Sequence, residues 1–242
     1  MKKGTIFILS LLFIAFGCNH ATDKTIVTGT LQDADGIRLT LQEMDTHDIR
    51  TVDSVIPDSK GSFSFSPNVP EPGFWLIKAP TGKVLVMLLK EGDKINLSGS
   101  AIDFPDNIQM SGSEEAILLN DFFRETRNRE HLVDSLEMLI AERQDSSDFY
   151  EYTRTLDTTF KEIWESQRLM EIDFIKSHPN SLASLVVLNY AFGLSPVLSP
   201  DEDYNYYKFV DSSLTVKFPD NKHVKYHHQR VEKVRNDNAD IR

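Results

Sequence analysis

Apolar and polar positions follow two different rhythms along this chain, and the rhythm changes near residue 113. Between Thr25 and Ser113, β-branched and aromatic residues come in short runs separated by turn-forming residues. Thr25 to Leu31 is a first β-rich run, and Asp33-Ala34-Asp35-Gly36 after it is a turn signal that reads as a hairpin. Ile37, Leu39 and Leu41 then alternate with Arg38, Thr40 and Gln42, the period of two that marks a half-buried strand. Val52 to Ile56 and Ser62 to Ser66 read as a pair joined by Pro57-Asp58-Ser59-Lys60-Gly61, with Phe63 and Phe65 on one face. Phe74 to Lys78 and Val84 to Leu89 are the most apolar runs, as expected of central strands. Lys94 to Gly99 and Ile108 to Ser111 complete a set of about eight strands, which predicts an antiparallel sandwich or a partly closed barrel.

From Ser113 the period is helical. Ser113, followed by Glu114 and Glu115, reads as an N-cap with acids in the first turn. Leu132, Leu136 and Leu139 continue that helix, and Gln144 to Asp148 breaks it. Beyond the break, Phe149, Tyr152, Leu156, Phe160, Ile163, Gln167, Met170 and Phe174 step by three and four residues. That is one seam of a long amphipathic helix, expected to pack on its predecessor as an antiparallel hairpin. His178-Pro179-Asn180-Ser181 ends it, and Ser181 is placed to cap a short helix through Leu194. Pro196 to Pro200 interrupts, and two more helices are predicted over Asp201 to Lys217 and Asp220 to Arg235. The fold class is therefore α+β: a β-rich domain at 25–113, a helical domain at 114–235 with a long hairpin, and a polar tail at 236–242 expected to fray.

The first residues belong to neither rhythm. Met1-Lys2-Lys3 is basic, Ile6 to Phe16 is apolar except for Ser10, and Gly17-Cys18 follows. A positive start, a short apolar core and a small residue at the processing site define a secretory signal peptide, here residues 1–17. The apolar run is about half of the ~20 residues that a spanning helix needs. A cysteine placed where the apolar core ends resembles a bacterial lipobox, although Phe16 is bulkier than the usual residue there. The expectation is lipidation of Cys18, with 18–24 as a polar tether and the membrane as one partner. The alternative is a plain signal peptide with an incidental cysteine.

Composition narrows the rest. The chain has 40% hydrophobic and 26% charged residues, as ordinary folded proteins do, and a net charge of −11. Without Lys2 and Lys3 the remainder carries −13, which opposes binding to nucleic acid or an anionic lipid surface. Cys18 is the single cysteine, so no intrachain disulfide, Cys-x-x-Cys centre or cysteine-pair zinc site can form within these residues.

Three segments carry a resemblance to a known family. They are Asp53-Ser54-Val55 with Gly61-Ser62-Phe63-Ser64-Phe65, then Leu89-Lys90-Glu91-Gly92-Asp93-Lys94-Ile95-Asn96-Leu97-Ser98-Gly99, and Met110-Ser111-Gly112-Ser113-Glu114. Phe174-Ile175-Lys176-Ser177-His178-Pro179-Asn180-Ser181 follows in the helical part. Together they resemble the domain of unknown function 4369 and its helical companion, over roughly residues 25 to 235. In that family these regions precede a thioredoxin-like domain in membrane-anchored thiol-disulfide oxidoreductases of Bacteroides-type bacteria. The sequence ends at Arg242, where the family's redox domain would begin, so the expectation is the non-catalytic front half alone.

The remaining candidates are weak as chemistry. His223 and His227 lie four apart, as two metal ligands on a helix face do, with His228 beside them. Lys222, Lys225 and Arg230 oppose a cation there, so a solvated basic helix end is the expected reading. Asp33 and Asp35 lack the spacing of a calcium loop. Phosphate-loop, nucleophile-elbow and dinucleotide glycine motifs are absent. Phe74, Trp75, Tyr204, Tyr206 and Tyr207 are candidates for a binding platform, with at least half of them expected in the core. Asp53-Ser54-Val55, Asp134-Ser135-Leu136 and Asp157-Thr158-Thr159 have the pattern of an O-glycosylation sequon. No catalytic residue, cofactor or metal is assigned. The expected function is a lipid-anchored envelope protein, at an outer membrane facing the periplasm, that binds or scaffolds a protein partner through the β-domain or the groove it shares with the helices. A glycan- or small-ligand-binding lipoprotein and a hydrolase built on paired carboxylates are the two rivals.

Overall fold

A computed structural model describes residues 24–193 and 195–240, without the side chains of 238–240. Cys18, the signal peptide and most of the tether lie outside these residues. Eight strands come first: β1 (Ile26–Gln32), β2 (Leu39–Met44), β3 (Ile49–Val55), β4 (Ser62–Phe65), β5 (Gly73–Lys78), β6 (Val84–Leu89), β7 (Lys94–Ser100) and β8 (Gln109–Ser111). They form two four-stranded sheets, ordered β4-β1-β7-β8 and β3-β2-β5-β6. Val27, Leu31, Phe65, Ile95 and Leu97 from the first sheet meet Leu41, Ile77, Met87 and Leu89 from the second in one core. The chain is α+β, and its β-part is an open two-layer arrangement, not a closed barrel.

It is also not purely antiparallel. β1 and β7 pair in parallel, Val27 opposite Ile95 and Leu31 opposite Gly99. A parallel neighbour needs a long connection, and here that connection holds the whole second sheet together with β4 of the first. Turn signals reveal a reversal but not the strand it leads to, which explains two misreadings. Residues 33–36 turn the chain through positive φ at Asp33 and Gly36, yet they carry it from β1 in one sheet to β2 in the other. The Pro57 to Gly61 turn likewise separates β3, which pairs with β2, from β4, which pairs with β1.

Two glycines of the family-like motifs sit where no side chain fits. A Cβ on Gly61 (φ 76°) would lie 1.9 Å from the Leu31 carbonyl oxygen, and one on Gly112 (φ 105°) would lie 1.8 Å from that of Lys94. In the Lys90-Glu91-Gly92-Asp93 turn, the Thr25 hydroxyl accepts from the Gly92 N–H and donates to the Lys90 carbonyl. Asp93 accepts from the Lys90 N–H, so the turn is pinned to the start of β1.

The helices are α1 (Glu114–Glu142), α2 (Phe149–Ser177), α3 (Ala183–Leu188), α4 (Tyr204–Lys217) and α5 (Lys222–Asp240), with a small hairpin of β9 (Ala191–Phe192) and β10 (Ser195–Pro196) after α3. Ser113 holds the N-cap position of α1 in extended conformation, without a side-chain cap bond. The third helix stops at Leu188, short of the expected Leu194: Asn189 holds its C-cap, and the chain goes on into β9 and β10, with Gly193 (φ 64°) just after β9 and Pro196 paired with Ala191. No proline or glycine follows Val234, and α5 continues through Asp240, past the expected end at Arg235. α1 and α2 are antiparallel: Phe122 meets Phe174, Thr126 meets Gln167, and Arg143 stacks over Tyr152.

The second sheet is a middle layer. Trp75, Ile77, Leu85, Met87 and Leu89 face the first sheet, whereas Phe74 and Leu88 join Leu119, Phe122, Ile175, Leu188, Val210 and Val224 in a second core with the helices. Covering both faces turns an alternating strand into an unbroken apolar run, which is why β5 and β6 are so apolar. β5 is central as expected. β6 is an edge strand, its edge packed against α1.

Candidate functional site

The hairpin extends past the β-layers, and its packing weakens along the way. On α2, Ile163, Gln167, Glu171 and Ile175 are buried, whereas Phe149, Tyr152 and Leu156 are only half-buried. On α1, Leu136 faces inward with Val133, but Leu132 and Leu139 of the expected stripe turn outward, Leu132 being 56% exposed. Together with Met138 and Tyr150 they leave apolar side chains on the outside of the hairpin.

Beside this hairpin is a cleft of about 950 Å³. Val133 of α1, Phe160 and Trp164 of α2, and Phe192 of the β9–β10 hairpin form its apolar wall. Phe192 meets the Trp164 ring edge-on at 6.0 Å. The rim is acidic: Glu130, Asp134 and Glu137 follow one face of α1 and Glu165 adds a carboxylate from α2, against the single cation Lys161. Glu130 is held in place by the Tyr190 hydroxyl, which donates to it at 2.6 Å. Burial and the Glu130 carboxylate both push the Tyr190 phenol up, so it stays protonated.

An ion pair fixes the loop behind Phe192. Arg168 of α2 grips both oxygens of Asp203, at 2.6 and 3.1 Å, and also donates to the Val197 carbonyl at 3.0 Å. Burial opposes the Asp203 charge, but the Arg168 hydrogen bonds and the Ser199 N–H outweigh it and lower the pKa. An apolar floor with a carboxylate rim suits an apolar segment flanked by Lys or Arg. Sequence reasoning placed Phe160 in the seam but missed Trp164 and Phe192. The readable signal was the acidic stripe Glu130, Asp134, Glu137, spaced by four and three residues.

The other candidates are dispersed. Phe74, Trp75 and Tyr207 are buried in the cores and Tyr204 and Tyr206 are half-buried, so they form no exposed row. Ser54, Ser135 and Thr158 of the three sequon-like triplets are exposed.

His228 is exposed, with Nδ1 3.0 Å from Asp211, but the other two histidines are not on a solvated helix end. His223 is 8% exposed and His227 3% exposed, both on the face of α5 turned toward the protein, where His223 packs edge-on against Phe74 at 4.8 Å. The basic residues that suggested a wet surface lie beside that face: Lys222 pairs with Glu43 and Asp45 of the second sheet, and Lys225 pairs with Asp220. Burial pushes His223 down to about 4 and also lowers His227. Among the described residues, no group of three or more His, Cys, Asp or Glu is placed to hold a metal ion.

Residues 25–119 match the family model of the Domain of unknown function (DUF4369). The match covers both sheets and the first residues of α1, and includes each of the three β-region motifs. No curated protein matches the chain. Among solved structures, the NMR structure of a protein from Eubacterium rectale matches 40% of this chain and 94% of that one, at 12% identity and a TM-score of 0.23.

Proposed function

We propose that this chain is a non-catalytic envelope protein that holds a protein partner in the hairpin cleft. The observation that carries this reading is the cleft itself, an aromatic floor rimmed by four carboxylates on a hairpin whose outer half leaves apolar residues exposed. The partner segment is basic and apolar, and the chain's negative charge steers it inward while opposing nucleic acid. The lipid on Cys18 tethers the body to the outer membrane, facing the periplasm. Binding is favoured over catalysis because Glu171, the acid pushed up to about 8, is sealed among Gln167 and Thr126 in the helix core, where no substrate reaches it.

A photo-crosslinking residue at Lys161, in the native host, tests the docking. A discrete adduct is expected, lost in Trp164→Ala and weakened in Asp134→Lys with Glu137→Lys. An adduct indifferent to both changes refutes the cleft. Labelling with an alkyne fatty acid should mark the wild type and not Cys18→Ser, and protease shaving of intact cells should leave the chain whole.

A further inference from the structure

A second pocket, of about 360 Å³, lies where α3 and α5 cross the outer face of the second sheet. Phe74, Phe123, Tyr190 and Tyr226 are among its walls, so it is aromatic on several sides. Much of its polar lining comes from one face of α5, where His223, His227 and Arg230 succeed one another at helical spacing, and Asp45, Thr46 and Asn189 add polar groups from the loop after β2 and the end of α3.

The two imidazoles are incompletely used. Nε2 of His227 lies 3.1 Å from the Tyr207 carbonyl, which can only accept, so Nε2 carries the hydrogen. Nδ1 of the neutral ring is then a bare acceptor, fully buried, and no described residue donates to it. Nε2 of His223 is also buried without a partner. Arg230 lends one N–H to Asn189 at 2.7 Å and has no carboxylate partner among the described residues. A buried acceptor requires a donor, and here it must come from outside the described protein groups.

We propose that this pocket binds a small uncharged hydroxylated aromatic, a phenol-class molecule, whose hydroxyl lies between His227 and Arg230. The hydroxyl donates to Nδ1 of His227, and its oxygen accepts from the Arg230 guanidinium. One group thereby satisfies both, whereas a carboxylate would serve Arg230 and leave Nδ1 without a donor. The ring fills the space between Phe74, Phe123 and Tyr190, whose edges and faces suit an aromatic guest. Neutral, desolvated imidazoles fit an uncharged ligand.

The experiment uses full-length protein with 15N-labelled histidine, titrated with 4-ethylphenol, ethylbenzene and 4-ethylbenzoate as probes. Saturable binding of 4-ethylphenol is expected, with the His227 Nδ1 resonance moving toward its hydrogen-bonded position. Ethylbenzene should bind about tenfold more weakly, the usual worth of one hydrogen bond. His227→Phe should weaken 4-ethylphenol to the level of ethylbenzene while ethylbenzene still binds, which certifies an intact pocket. If that variant does not fold, the Nδ1 shift in the wild type decides. Absence of saturable binding, an unmoved Nδ1 resonance, equal binding of ethylbenzene, or tighter binding of 4-ethylbenzoate would each overturn the proposal. The pocket and the hairpin cleft share only Tyr190, whose ring lines the pocket while its hydroxyl holds Glu130 of the cleft, and no variant used in either test changes it, so either reading can fail alone.

Discussion

Glu171 offers the sharpest test of the packing, because one buried carboxyl should govern much of the pH dependence of stability. It is 0% exposed, and its Oε1 accepts from the Gln167 amide at 2.8 Å while that amide also reaches Thr126 on the facing helix. Burial raises its pKa from 4.5 to about 8, against a smaller opposing effect of the Gln167 hydrogen bond. Between those two values the folded chain keeps a proton that the unfolded chain has released. Stability due to this group is therefore highest below pH 4.5 and declines as pH rises toward 8. At about 1.4 kcal/mol per pH unit, the decline between pH 5 and pH 8 comes to about 3.5 kcal/mol. Glu171→Gln keeps the shape and hydrogen-bonding capacity but cannot titrate. Urea unfolding of both proteins at pH 5, 6, 7 and 8 isolates the group, since every other titration is common to the pair. The variant should gain about 3.5 kcal/mol relative to wild type across that range. A difference constant to within about 1 kcal/mol would mean that the carboxyl is not desolvated in the fold, and would refute the packing of α1 on α2 around it.

Two further outcomes test the β-layers and their junction with α5. Gly112→Ala should destabilise by about 3 kcal/mol, because its Cβ would overlap the Lys94 carbonyl, whereas Gly36→Ala, also at positive φ but with open space around it, should cost about 1 kcal/mol; thermal unfolding of the two variants side by side checks the contrast. Lys222→Met removes the ammonium shared by Glu43 and Asp45, at 2.8 and 3.3 Å, and should cost about 1 kcal/mol at low salt and less at high salt. The Lys222 hydrogen bond is the main cause that lowers the Glu43 pKa, so this contribution is present above the ordinary carboxylate range and is lost as pH falls below it. Urea midpoints at pH 7 and pH 3 should therefore differ less in the variant than in the wild type.

How far the fold could be read in advance depended on whether the signal was local. Strand and helix types follow from period, so β5 and β6, the hairpin, and the change of rhythm before Glu114 were all legible. Pairing partners are decided at long range. Nothing within Ile26–Gln32 says that its neighbour will be Lys94–Ser100, nearly seventy residues on and parallel. The stripe on α1 failed for a related reason. Leu132, Leu136 and Leu139 have helical spacing, but near the free end of a two-helix hairpin only a narrow strip touches the partner, and Val133 and Leu136 occupy it. The cleft depends on Phe192, delivered from a two-residue strand after α3, and no periodicity reaches that far.

The histidines show how a correct chemical observation led to the wrong surface. Lys222, Lys225 and Arg230 do surround His223 and His227 in sequence, and cationic neighbours do oppose a metal. A helix, however, sorts neighbours by angle. Residues 223, 224, 227 and 231 turn to the protein, while Lys225 turns to solvent and Lys222 snorkels to two acids on the sheet. Asn221 sets that angle: its side chain donates to the Pro72 carbonyl before β5 and accepts from the His223 and Val224 N–H groups that open α5. One asparagine thus both caps the helix and locks it to the middle sheet, and it determines that two imidazoles face an aromatic pocket instead of water. Asn221→Ala should therefore disturb the His223 and His227 resonances as well as stability, by about 1 kcal/mol from the lost cap. Unshifted histidine signals in that variant would separate the pocket's geometry from the cap and remove this account of why the histidines point inward.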